Sequence, residues 1–105
     1  MKFILLSRHN GGSSVPENEV AQNLKDMGEW ILLLKAIVAM PIRGGKTVSV
    51  NDVKDYDGDL GGLLIFEADN LDEAIALAMQ SPGLKYGFTH EVFPEISIHE
   101  AAKTK

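Results

Sequence analysis

Residues 61–79 constrain the fold more than any other stretch of the chain. Gly61 and Gly62 open the run Leu63, Leu64, Ile65, Phe66, Glu67, Ala68, which is apolar on both faces. A short run of this kind reads as a strand in the middle of a sheet. Asn70 and Glu73 follow at capping-box spacing, and Leu71, Ala74, Ile75, Ala78 and Met79 then recur at i, i+3, i+4, i+7 and i+8. That spacing is one face of an amphipathic helix. A buried strand running straight into such a helix needs further strands on both edges and a sheet face for the helix to cover.

The rest of the chain supplies candidates for each. Lys2 to Arg8 is a compact apolar run ended by the loop His9, Asn10, Gly11, Gly12, Ser13, which predicts a buried first strand. Ser14 and Glu17 make a second capping box with Pro16 in the first turn. Val20, Leu24, Met27, Ile31, Leu34 and Val38 follow at spacings of 4, 3, 4, 3 and 4, which predicts one long helix ended by Pro41. Trp30 to Leu34 is apolar on every side and calls for a second covering surface. Gly44 and Gly45 turn the chain, Thr47 to Val50 alternates as a half-exposed strand, and Asn51 to Asp59 reads as an acidic loop. Pro82 and Gly83 stop the second helix. Phe88 to Ile98 is extended with Pro94 at an edge or bend, and Glu100 to Lys105 is a polar, frayed end.

The order is βαββαβ. With right-handed crossovers it gives the ferredoxin-like α+β arrangement, a four-stranded antiparallel sheet with two helices on one face. In 105 residues nothing remains to cover the other face, so a second copy packing sheet to sheet is expected, a homodimer forming a dimeric α+β barrel. The domain spans 1–98 and the polar tail 99–105.

Composition narrows the function classes. Ten Lys plus Arg against fifteen Asp plus Glu give a formal charge of −5, and no basic cluster exists to attract nucleic acid or an anionic membrane. Zero cysteines exclude a disulfide framework, thiolate chemistry and a cysteine zinc site. The N-terminal apolar run is too short for a secretion signal, so a cytoplasmic protein is expected.

Two motif fragments fail on inspection. Gly45-Lys46-Thr47 ends a phosphate-loop pattern whose first Gly would fall on Met40. Asp55, Asp57 and Asp59 open a calcium-loop pattern, but its sixth and twelfth positions are Leu60 and Phe66. No two histidines have the spacing of a helical metal pair and no serine sits in a nucleophile elbow, so no metal and no cofactor is expected.

What remains is acid–base chemistry. His90 shares the parity of Phe88, Val92 and Ile96 on the last strand, and an imidazole on that apolar face is either a hydrogen-bonded core residue or a proton-transfer group. His9 sits at the mouth of the first strand beside Arg8 and the glycine loop, where ligand contacts are commonly built. Trp30, midway along the long helix, is either core or the wall of a cleft for a flat organic molecule. Glu67 and Glu91 lie within strands, where a buried carboxylate needs a partner.

The stretch Gly61-Gly62-Leu63-Leu64-Ile65-Phe66-Glu67-Ala68-Asp69-Asn70-Leu71-Asp72-Glu73-Ala74, with Ser81-Pro82-Gly83-Leu84-Lys85-Tyr86-Gly87 and then Glu91-Val92 and Pro94, resembles YCII-related proteins. The resemblance implies a dimeric α+β barrel, usually bacterial, whose enzymatic members are thought to use a His and an Asp in a cleft. The long helix here carries no His. The family's Asp-Gly-Pro-Phe motif falls on Val50, Asn51, Asp52 and Val53, leaving Asp52 as the carboxylate nearby, and Ser81 stands where relatives carry Cys. The expectation is a dimer binding a small organic acid or aromatic metabolite in a cleft. His9 and His90 are the candidate proton carriers, and Arg8, Trp30, Arg43 and Asp52 the candidate ligand contacts. Isomerase or lyase chemistry fits these groups, with an arginine holding a carboxylate. The alternative is a non-catalytic dimeric binding or accessory module.

Overall fold

The computed structural model describes residues 1–103. Its elements are β1 (Lys2–Arg8), α1 (Val20–Leu34), β2 (Val38–Pro41), β3 (Lys46–Val48), β4 (Val53–Asp55), β5 (Leu60–Glu67), α2 (Leu71–Ala78), β6 (Thr89–Pro94) and α3 (Ile98–Lys103), with single 3-10 turns at Glu17–Glu19 and Leu84–Tyr86. The main sheet has the order β2-β5-β1-β6 and every pairing in it is antiparallel, the ferredoxin-like topology.

Register settles which side chains meet the helices. Phe3 lies opposite Phe66 and Leu5 opposite Leu64 across β1 and β5; all four are buried. With Trp30 and Leu34 of α1 and Ala74 and Ala78 of α2 they make the core. Asn70 caps α2 as its sequence predicts, its side-chain oxygen accepting the Glu73 N–H at 2.8 Å, and Pro94 ends an edge strand.

The second strand of the sheet is not the segment expected. Instead of running to Val38, α1 stops at Leu34 because Lys35 turns left-handed (φ 51). The Lys35 N–H then bonds Leu32 O at 3.0 Å and the Ala36 N–H bonds Ile31 O at 3.3 Å, a Schellman closure that satisfies the last carbonyls of the helix. No glycine announces it. Val38–Pro41 is thereby freed to pair with β5. The alternating segment after Gly45 does form a strand, β3, but it pairs with β4 in a separate hairpin, so the expected acidic loop is partly strand.

Two further expectations are corrected. No side chain caps the start of α1, and Glu17–Glu19 forms a 3-10 turn before the helix begins at Val20. Pro16 is the reason, its extended backbone (φ −54, ψ 143) standing where Ser14 would have begun a helix. The end of the chain is not wholly frayed, since Ile98–Lys103 is helical; the final two residues of the tail lie outside those described. Among the described residues no helix is long and apolar enough to cross a membrane.

Candidate functional site

Along the helix face of the sheet, side-chain size falls sharply from one end to the other. Phe3 with Phe66 and Leu5 with Leu64 fill one end; the next pair in register is Ser7 with Gly62. These are too small to reach α1, and a cavity of about 500 Å³ opens there. Met27, Trp30 and Ile31 of α1 roof it, Gly61 and Gly62 form part of its floor, and Ser81 and His90 stand at its side. Leu24 belongs to the apolar stripe of α1 yet lines this cavity rather than the core.

The wall made by Trp30 and His90 is held from several directions. The two rings stack with centroids 5.7 Å apart and planes 12° from parallel. Trp30 is buried and its Nε1–H donates to Leu77 O at 3.0 Å, so α2 fixes the indole. His90 lies opposite Ser7 on β1, and its Nε2 is 2.7 Å from Ser81 Oγ. Ser81 is itself placed by the end of α2, its N–H bonding Ala78 O at 3.1 Å, and its Oγ accepts the Gly83 N–H at 3.3 Å. The His90 Nδ1 is buried without a formed hydrogen bond. Burial holds the His90 pKa below its ordinary 6.5, with the Thr89 backbone opposing more weakly, so the ring is neutral at pH 7.

The remaining sequence candidates lie elsewhere. Arg8 has the opposite parity to Ser7 and points away from the helices; its Nε donates to Glu91 at 2.6 Å and its Nη1 to Asp59 at 2.9 Å. These bonds raise the Arg8 pKa further and hold the Asp59 carboxyl below its usual range. His9 shapes its own loop, its Nδ1 accepting the Gly12 N–H at 3.2 Å. Arg43 is exposed in the turn after β2, and Asp52 is exposed in the β3–β4 turn, where its carbonyl accepts the Ser49 N–H. Of the six candidates, therefore, only Trp30 and His90 come together. Ser81 and Gly62 are site residues that the sequence candidates do not include. The signal for Gly62 is its place in the large-to-small series on one strand face; for Ser81 it is the family resemblance, in which relatives carry Cys at that position.

The YCII-related domain model matches residues 1–94 of the chain. The chain belongs to the YCII-related family. No curated protein matches it. Among solved structures, this YCII domain is similar to 5-chloro-2-hydroxyhydroquinone dehydrochlorinase from Burkholderia phenoliruptrix AC1100 in complex with 2,5-dihydroxybenzoquinone. The match has a TM-score of 0.63 and 21% identity, covering 95% of this chain and 98% of that one. At that identity the likeness shows the shared fold. In this YCII domain the cavity has no Lys, Arg, Asp or Glu among its lining residues, so its chemistry rests on one imidazole, two small polar side chains from serine, one asparagine and the backbone.

Proposed function

We propose that this YCII domain binds a flat, uncharged, hydroxyl-bearing ring compound in the cavity beneath α1 and moves a proton there, in isomerase- or lyase-type chemistry, with His90 as the base. The observation that carries the reading is a neutral imidazole stacked on Trp30 in the wall of an otherwise apolar cavity. Of the two ligand classes the sequence suggests, the aromatic one is favoured. A carboxylate placed here would lose its hydration and find no cation, whereas a ring would exchange water for apolar contact. The volume suits a small ligand. The dehydrochlorinase of like fold is, by its name, an enzyme of a hydroxylated ring, which agrees with this class.

The functional unit is proposed to be a homodimer. Ile4, Leu6, Leu63, Ile65, Met40 and Phe93 lie on the sheet face opposite the core, which among the described residues α1 and α2 leave uncovered. The molecule is only 19 Å thick along its shortest axis, with a radius of gyration of 15.4 Å, against about 13 Å for a compact domain of this length. The β3–β4 hairpin adds exposed Val48, Val50 and Val53. A thin subunit with a bare apolar sheet face fits a twin on that face.

The ligand reading is tested by thermal melting with hydroquinone, catechol and benzoate. Ligand at a hundred times its Kd stabilises by about 2.7 kcal/mol. The uncharged hydroxylated ring raises Tm and benzoate does not; a shift with benzoate alone, or with none of the three, overturns the reading.

A further inference from the structure

The contact between Ser81 and His90 has a direction that can be worked out from the hydrogens it must place. Ser81 is buried at 6% exposure. Its Oγ already accepts the Gly83 N–H and lies 2.7 Å from His90 Nε2. Suppose first that Nε2–H donates to Oγ. The serine hydroxyl hydrogen then has no acceptor among the described residues, and Nδ1 becomes a bare buried acceptor. Each orphaned group costs about 1–3 kcal/mol. Suppose instead that Oγ–H donates to Nε2. The serine is then satisfied as donor and as acceptor, and the ring hydrogen sits on Nδ1, the one group left without a partner. The second arrangement leaves one imperfect group rather than two.

Both side chains line the cavity, and we infer, resting on the proton-transfer reading above, that they form a relay in which Ser81 Oγ is the atom that meets the occupant and His90 is the base behind it. In the forward step an O–H bond of the bound ring compound breaks and its proton bonds to Oγ. The Oγ–H bond breaks at the same time and that proton joins Nε2. The electron pair stays on the ligand oxygen and the positive charge on the imidazolium. Return of a proton along the same route to a ring carbon of the same molecule completes a keto–enol isomerisation with no co-reactant. Trp30 keeps the imidazole plane fixed while its charge changes. His90 also borders a second cavity lined by Ile75, Ala78, Met79, Leu84 and Val92. Among the described residues no charged side chain lines either cavity, so an imidazolium formed there is held by Ser81 and the indole face and gives its proton back readily.

The test is the tautomer of His90, read by nitrogen NMR on the whole chain with 15N-labelled histidine and no ligand. Wild type is expected to carry its hydrogen on Nδ1. Ser81→Ala moves the population toward the Nε2–H form, and Ser81→Thr, which restores the hydroxyl, moves it back. An Nε2–H form in wild type, or a tautomer indifferent to Ser81→Ala, overturns the relay; the wild-type result stands even if the alanine variant fails to fold. A second arm uses hydroquinone, whose Kd rises about 5-fold in Ser81→Ala if Oγ bonds it, the equivalent of one hydrogen bond. An unchanged Kd removes Oγ from contact with the occupant. Failure of hydroquinone to bind wild type counts against the ligand reading itself, and the tautomer then decides the pair.

Discussion

Trp30 and His90 face each other in near-parallel stacking, with ring centroids 5.7 Å apart. One comes from the middle of α1 and the other from the edge strand β6. Neither residue has the other near it in sequence, and the contact exists because α1 crosses the sheet above the strand end where β6 pairs with β1.

Burial of His90 has a consequence for stability. Its folded-state pKa lies below the ordinary 6.5, so between those two values the unfolded chain binds the extra proton. The contribution of His90 is therefore present above pH 6.5 and is lost as pH falls through the folded pKa. Urea unfolding across pH 7.5 to 4.5 should show wild-type stability declining through that window, and His90→Gln should flatten the decline there. An equal slope in both proteins would place the titration elsewhere.

Gly28 lines the cavity on α1, and a Cβ there meets nothing within 4 Å. Gly28→Ala should stabilise the protein by roughly 0.5–1 kcal/mol through helix propensity. Gly28→Leu projects into the same open space and should abolish the hydroquinone-dependent Tm shift while leaving the apo Tm at or above wild type. Calorimetry with and without hydroquinone measures both effects.

Arg8 keeps the Asp59 carboxyl ionised by direct hydrogen bonding. In Arg8→Met the Asp59 pKa should climb back to the usual carboxylate range, as followed by carbon NMR. Because the folded pKa is the lower one, the stabilisation from Asp59 is present above the ordinary pKa and is lost as pH falls through the folded value. Both partners are partly exposed, so 1 M salt should weaken the effect.

The bare sheet face makes the oligomeric state testable. Sedimentation at micromolar concentration should give twice the 11.4 kDa of one chain. Leu6→Glu, in the middle of that face opposite Leu63, should yield the single-chain mass with the far-UV circular dichroism retained. A wild type sedimenting at 11.4 kDa would refute the dimer.

Lys35 sits in the left-handed region at φ 51, a conformation costing a non-glycine residue roughly 1–2 kcal/mol. Lys35→Gly should therefore raise the urea midpoint, by less than that cost because glycine also loosens the unfolded chain. A lowered midpoint would mean that the lysine side chain contributes contacts outweighing its strain.

Local chemistry carried much of the fold into the sequence. The alternation of Phe3, Leu5 and Ser7 and of Phe66, Leu64 and Gly62 marks one face of two strands, and the Asn70 cap with its stripe places α2. These are short-range patterns, and the residues that make them are the residues that obey them. Errors arose where a distant partner decided. Val38 continues the helical stripe of α1, but β5 offers Val38–Pro41 a free edge, and a lysine accepts the left-handed turn that makes the switch. Thr47–Val50 had strand chemistry and lacked only knowledge of which strand it would join.

The candidate site follows the same division. Sequence by itself determined the type of the strands at Lys2–Arg8 and Leu60–Glu67 and of the two long helices, the α+β class, the absence of thiol chemistry and the presence of a few groups capable of moving a proton. Tertiary structure alone decided that Arg8 belongs to Asp59 and Glu91, that His9 serves its own loop, and that Trp30, Ser81 and His90 converge on one cavity. The physical reason is range: helix and strand periodicity arises from neighbours within a few positions, whereas the side of a sheet on which a charge finds its partner, and the place where small residues leave a void, depend on register between strands far apart in the chain.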